Sequence, residues 1–267
     1  MYIDFHTHAF SEKIAEKAMK NLSAVSEMNP CTDGTVGDLC SLLKSRGIDE
    51  AVLLPVATKP AQHEIINSWA QSVNNKNGIY AFGSVYPKSE EAVEEVDRIK
   101  NRGLYGVKLH PDYQNFTADD ESIYPVYEKC SELGLPVVFH AGYDPLSPDF
   151  IHGNPEDFVR ICENFPDLRV ILAHLGGMHR WDIVERLLAG RFENLWLDTA
   201  VIAGEIGADM FSRIVKKHGA DRILFASDCP WDDPVNEIKL IESLDIPDSE
   251  KEKIFYKNAH ELLDFKR

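Results

Sequence analysis

The chain has 267 residues, a length that suits one α/β barrel of about 250 residues and is ample for a large core. Lys and Arg number 28 against 44 Asp and Glu, and the formal net charge of −16 repels phosphate backbones and anionic membrane surfaces. Nucleic acid and membrane are thereby excluded as expected partners, and a small-molecule substrate is left.

A first apolar run, Tyr2–Phe5, predicts a strand that ends in His6-Thr7-His8. Thr35 is placed to cap a helix over Val36–Ser45, stopped by Gly47. A strand over Ala51–Leu54 leads to a helix over Ala61–Asn75 and a strand over Ile79–Tyr86. Ser89 opens the helix Glu90–Asn101, with Gly103 just beyond it, and the strand Tyr105–Leu109 follows. Asp120 or Ser122 starts a helix that runs to Leu133 and ends at Gly134, before the strand Val137–Phe139. Pro155 sits in the first turn of Glu156–Asn164, where its missing N–H is harmless. The remaining units pair the strand Arg169–Ala173 with the helix Trp181–Leu188, and Leu195–Asp198 with Gly204–His218. Last come the strand Ile223–Ala226 and the helix Ser249–Leu263.

The strands are near-continuously apolar, as parallel strands covered by helices are. Eight βα units point to a closed (β/α)8 barrel, with an open doubly wound sheet as the alternative. No charge block, low-complexity tract or Pro/Gly/Ser linker divides residues 1–267, so a single domain is expected. The five cysteines (Cys31, Cys40, Cys130, Cys162, Cys229) are scattered without a CxxC pair, which predicts reduced thiols and no thiolate zinc cage. The N-terminus MYIDFHTHAF has no basic segment followed by an apolar run, and no stretch is long and apolar enough to span a bilayer. The expected location is the cytoplasm.

Residues i and i+2 of a strand share a side, so His6 and His8 can converge on one ion. Neutral imidazole is a common ligand of borderline metals. PVVFH places His140 at the C-terminal end of the fifth apolar run, RVILAH places His174 at the end of the sixth, and RILFASD places Asp228 at the end of the eighth. An α/β barrel builds its active site on that face, from the ends of several strands. Lys108 and His110 share parity on the fourth run, so both face the mouth if either does. His179 and Arg180 follow the HLGG loop, Trp231 follows Asp228, and Tyr113 and Gln114 follow the fourth run. No GxSxG elbow or P-loop supports a serine hydrolase or a nucleotide hydrolase.

The stretches DFHTHAF, GVKLHP, VVFHAG, ILAHLGG and FASDCPW, spread over residues 4–231, resemble the amidohydrolase superfamily, and specifically its amidohydrolase-related branch. The resemblance implies one divalent metal held by His6, His8, His140 and Asp228. It gives His174 and Asp228 catalytic roles, His174 toward the substrate or the activated water and Asp228 as proton acceptor. Zinc is the first expectation for the ion, and manganese or iron would accept the same ligands. It assigns Lys108 to a substrate carboxylate, in preference to a carboxylated lysine bridging two metals, and leaves His110, Arg180 and Trp231 as substrate-binding candidates. Family members also suggest a homo-oligomer.

The activity that follows is hydrolysis of an ester, lactone or amide bond in a small anionic molecule. The alternative is non-oxidative decarboxylation or hydration of an unsaturated or aromatic carboxylic acid, since the same ligands serve both. A related nuclease branch would carry a glutamate on the fourth strand, where this chain has Gly106-Val107-Lys108. A silent barrel serving as a scaffold would be expected to lack a ligand position, and none is missing.

Overall fold

The computed structural model describes residues 1–263. Nine strands run in chain order: β1 (Ile3–Thr7), β2 (Glu50–Leu53), β3 (Ile79–Ala81), β4 (Gly83–Ser84), β5 (Val107–Leu109), β6 (Val137–Phe139), β7 (Val170–Leu172), β8 (Leu195–Asp198) and β9 (Ile223–Leu224). Every neighbouring pair is parallel, in the orders β1-β2-β3 and β4-β5-β6-β7-β8-β9. Sequential neighbours joined by helices are the topology of a (β/α)8 barrel.

The extra strand comes from a break in the run expected over Ile79–Tyr86. Phe82 separates β3 from β4, and its amide bonds to Leu53 O at 3.0 Å while Gly83 N bonds to Gly106 O at 2.9 Å. One strand thus changes partners at Phe82, whose ring turns inward against Phe5. Gly106 accommodates that ring: a Cβ there would lie 2.3 Å from Phe82 Cε2. Three backbone bonds join the last strand's extension to the first: Phe5 N to Phe225 O (2.8 Å), Asp228 N to His6 O (2.8 Å) and His8 N to Cys229 O (2.6 Å).

Strand alternation divides the core in two. Ile3, Phe5, Val52, Phe82, Val138, Ile171 and Leu224 pack inside the barrel, joined by Leu262 from the C-terminal helix. Ala51, Leu53, Val107, Val137, Phe139, Val170, Leu172, Leu195 and Leu197 face outward and pack beneath the helices. Burial on both faces explains the unbroken apolar runs in the sequence.

The helices are α1 (Ala15–Ser26), α2 (Val36–Ser45), α3 (His63–Val73), α4 (Ala92–Asn101), α5 (Pro111–Gln114), α6 (Tyr124–Glu132), α7 (Pro155–Asn164), α8 (Trp181–Leu187), α9 (Ala208–His218), α10 (Pro234–Glu242), α11 (Asp248–Glu252) and α12 (Asn258–Leu263). Thr35 caps α2 through Asp38 N (3.2 Å), and Asn154 with Asp157 forms a capping box ahead of Pro155 in α7. The expected helix over Ser249–Leu263 is instead α11, a π turn over Lys253–Lys257, and α12. Three helices, α1, α5 and α10, lie outside the expected set. The first lacks a side-chain cap and buries only Ala15 and Met19, so its apolar stripe is thin. No helix among the described residues is long and apolar enough to cross a membrane.

Candidate metal centre and active site

A β-bulge aims the first histidine. Ile3 and Asp4 pair with Glu50 and Ala51, but Thr7 pairs with Leu53, so Phe5 and His6 together oppose a single residue of β2. Phe5 can therefore stay in the barrel core while His6 and His8 reach the mouth. Beneath them Asp4 is fully buried and receives Ser227 Oγ (2.5 Å) and Ser227 N (2.9 Å); burial raises its carboxyl to about 7.

Hydrogen bonds at the far ring nitrogens fix both tautomers. His6 Nδ1 donates to Asp198 Oδ2 and His8 Nδ1 to Leu54 O, each at 2.8 Å. The two Nε2 atoms are then bare lone pairs, yet they lie 3.1 Å apart, and Asp228 Oδ1 sits 3.3 Å from one and 2.9 Å from the other. Burial drives the His6 pKa well below its ordinary value, so His6 stays neutral. Three acceptors thus face one another, with no hydrogen-bond donor for the buried Asp228 Oδ1. Lys108 Nζ relieves part of this repulsion from the side, at 3.3 Å from His6 Nε2, and a cation between the three acceptors would satisfy them all. Their spacings match ligand edges around an ion with bonds of about 2.0–2.2 Å, so this donor set suits a divalent metal of borderline hardness.

Asp198 holds the arrangement from behind. One oxygen accepts from His6 Nδ1, and the other accepts from His174 N and Ala200 N, both at 3.0 Å. His174 and Leu175 both adopt left-handed backbone (φ 57° and 54°), a conformation that costs a non-glycine residue about 1 kcal/mol or more. The bonds to Asp198, from His174 Nδ1 to Ala200 O (2.8 Å), and from Trp181 Nε1 to His174 O (3.0 Å) offset that cost.

A second trio adjoins the first. His110 and His140 stack at 4.2 Å between centroids, and Asp144 Oδ2 lies 3.6 and 3.7 Å from their Nε2 atoms. Asp112 Oδ2, buried and unpartnered, is 3.8 Å from His140 Nε2, while its other oxygen accepts the Ser147 hydroxyl. Burial pushes both imidazole pKa values well below their ordinary value and raises Asp144 to about 7. His174 stands between the trios, with its Nε2 3.0 Å from His140 Nδ1 and its ring 5.8 Å from that of His6.

Lys108 is 1% exposed, and its Nζ donates to His6 Nε2 at 3.3 Å; burial lowers its pKa to about 8. Both trios, His174 and Lys108 open into a cavity of about 900 Å³ walled by Ile14 and Leu22 at α1 and by Ile66 and Trp69 of α3, with Tyr113, Tyr143 and Trp231 also on its lining.

Of the residues singled out from sequence, His6, His8 and Asp228 come together as one candidate cluster, while His110 and His140 share the other with Asp144. Lys108, His174 and Trp231 line the same cavity. Arg180 does not: its guanidinium faces Glu156 at 3.7 Å, and its neighbour His179 takes the place on the wall. The turn that follows Gly177 separates these two side chains. Gln114 is structural, its amide tying Ala57 O to Val85 O at 2.7 Å each. Sequence reasoning missed Asp198 and Asp144. Asp198 was legible as a carboxylate ending an apolar strand; Asp144 lies in a loop with no periodic signal.

The Amidohydrolase family model matches residues 3–265, and the chain belongs to that family. Among its curated relatives is a 2-keto-4-carboxy-3-hexenedioate hydratase of a Sphingobium species, 25% identical, with 83% of this chain and 80% of that protein aligned. The fold matches a 5-carboxyvanillate decarboxylase from Sphingomonas paucimobilis, with a TM-score of 0.73 at 16% identity over 99% of both chains. It also matches a dihydroxybenzoic acid decarboxylase from a Polaromonas species, solved with bound manganese and 2-nitroresorcinol. That match has a TM-score of 0.70 at 16% identity over 100% of this chain and 97% of the other.

Proposed function

We propose that this chain is a metal-dependent lyase, adding water to or removing carbon dioxide from an unsaturated or aromatic carboxylic acid. The observation that carries the reading is the pair of trios on either side of His174. Hydrolysis of an ester or amide asks mainly for an activated water and a proton carrier, which His6, His8, Asp228 and His174 would supply alone. A lyase also has to deliver or take a proton at carbon, and the His110–His140–Asp144 group offers a separate, buried place for that exchange. The relatives with hydratase and decarboxylase activities favour the same alternative over hydrolysis.

His6, His8 and Asp228 would hold the ion, with His174 and His140 beside it; zinc and manganese both suit the donors. Such an ion supplies Lewis acidity toward a carboxylate or carbonyl oxygen and eases the ionisation of water. Lys108 adds a cation at the same mouth and would bind a substrate carboxylate as a point charge. Burial of the whole group strengthens each of these interactions.

The reading is tested by incubating manganese- or zinc-reconstituted protein with 2-keto-4-carboxy-3-hexenedioate, 5-carboxyvanillate and 2,6-dihydroxybenzoate. Absorbance, released carbon dioxide and product mass are followed. A product heavier by one water or lighter by one carbon dioxide is expected. Turnover of lactones, esters or amides with none of the acids consumed would return the reading to hydrolysis.

A further inference from the structure

The thiols of Cys31 and Cys229 lie 3.7 Å apart, although 198 positions separate them in the chain. Cys229 is fully buried beside Asp228, and Cys31 is half-buried in the connection between α1 and α2. Their backbones are already in register: Cys31 N donates to Pro230 O at 2.8 Å, and His8 N donates to Cys229 O at 2.6 Å. A disulfide needs its sulfurs at about 2.0 Å and its Cα atoms within about 7 Å. The Cys31–Pro230 backbone bond holds the two segments side by side, and closing the sulfurs from 3.7 Å to bonding distance takes side-chain rotation with a small backbone shift. The remaining cysteines, Cys40, Cys130 and Cys162, are free, and neither Cys130 nor Cys162 has an exposed sulfur.

The geometry points to Cys31 and Cys229 as a modification site, a dithiol that a peroxide oxidises to a disulfide next to Asp228 of the metal centre. Cys31 sulfur attacks the peroxide oxygen and becomes a sulfenic acid, releasing one water. Cys229 sulfur then displaces hydroxide from that sulfenic acid, forming the S–S bond and a second water. Two thiols and one hydrogen peroxide thus give one disulfide and two waters. Because Asp228 precedes Cys229, drawing Cys229 toward Cys31 displaces the segment that carries Asp228 and strains the bond that ties His8 to it.

The test treats the reduced, metal-loaded chain with a slight excess of hydrogen peroxide. Thiols, intact mass and peptides are then measured, with metal content before and after. The expected result is a fall from five titratable thiols to three, loss of the mass of two hydrogens, and one linked peptide pair containing Cys31 and Cys229. Dithiothreitol should reverse all three changes, and metal retention should fall in the oxidised form. Cys31→Ser and Cys229→Ser should each abolish the crosslink. Should Cys229→Ser fail to fold, phenylarsine oxide on the unmodified protein serves instead, and one equivalent should protect the same two thiols. Five thiols after treatment, a crosslink between other cysteines, or Cys31 carried to sulfinic acid with Cys229 untouched would each overturn the proposal. These outcomes do not depend on which substrate the site takes.

Discussion

The two histidine trios differ in how firmly the fold has committed them. In the first, each imidazole spends its Nδ1 proton on a fixed acceptor, Asp198 or Leu54 O, and the lone pairs crowd to 2.9–3.3 Å around Asp228. In the second, the closest approaches to Asp144 are 3.6 and 3.7 Å, and His110 Nδ1 takes only a 3.5 Å contact from Tyr113 N. Tautomers locked from outside make a centre for a cation, which cannot tolerate a stray N–H. In the second trio His140 is locked in the same way, its Nδ1 donating to His174 Nε2 at 3.0 Å, and only the weakly held His110 keeps a tautomer free for proton exchange. Residue types alone would not have separated the two, since each trio is two histidines and an aspartate.

The sharpest way to break this contrast is to remove one member from each side. Asp228→Asn should abolish metal retention in purified, reconstituted protein. Asp144→Asn should leave about one equivalent bound and lose turnover, by elemental analysis alongside assay. Loss of metal from both variants would merge the trios into one centre. The locking bond itself is tested by Asp198→Asn, which keeps the shape but weakens the acceptor for His6. Metal affinity should drop about 10–100-fold, as outer partners of metal-bound histidines generally show, in competition titrations with a chelator. An affinity within twofold of the parent would mean that the tautomer is not set by Asp198.

A smaller effect concerns how the second trio is positioned. Gly142 lies between His140 and Asp144 with φ 89°, and a Cβ there would come 2.1 Å from Met178 N. Gly142→Ala should therefore destabilise the fold by about 2 kcal/mol or more in denaturant unfolding, and disturb turnover before metal content. An alanine variant of parental stability would show that this contact is soft.

The smallest effect uses a histidine remote from both trios as a control. His218 is 3% exposed in α9, and its imidazole pKa is lowered by burial to about 4. In the unfolded chain it titrates near 6.5, so only the unfolded state gains a proton between these values. Its contribution is present above pH 6.5 and is lost as pH falls toward about 4. The loss should be roughly 1 kcal/mol or more across that window, and His218→Gln should flatten the slope of unfolding free energy against pH. An unchanged slope would place the acid sensitivity elsewhere.

What the sequence by itself determined is the periodic part of the molecule and the chemistry carried at its ends. Unbroken apolar runs can be satisfied only by strands buried on both faces, so the βα alternation and the strand-end positions of His6, His140, His174 and Asp228 follow from local pattern. Where local pattern is weak, tertiary structure decided. Helix α1 forms without a cap because it lies over the cavity, and Phe82 breaks its strand because the barrel core needs an inward ring. The bulge at Phe5–His6 comes from the register of β1 against β2, which no i, i+2 count contains. Arg180 left the site and Asp144 entered it through loop conformation. The two trios, the bracket formed by Asp198 and the meeting of Cys31 with Cys229 all join residues far apart in the chain. Proximity of that kind is set by how strands order themselves around the barrel, and a linear pattern holds no record of distance across it.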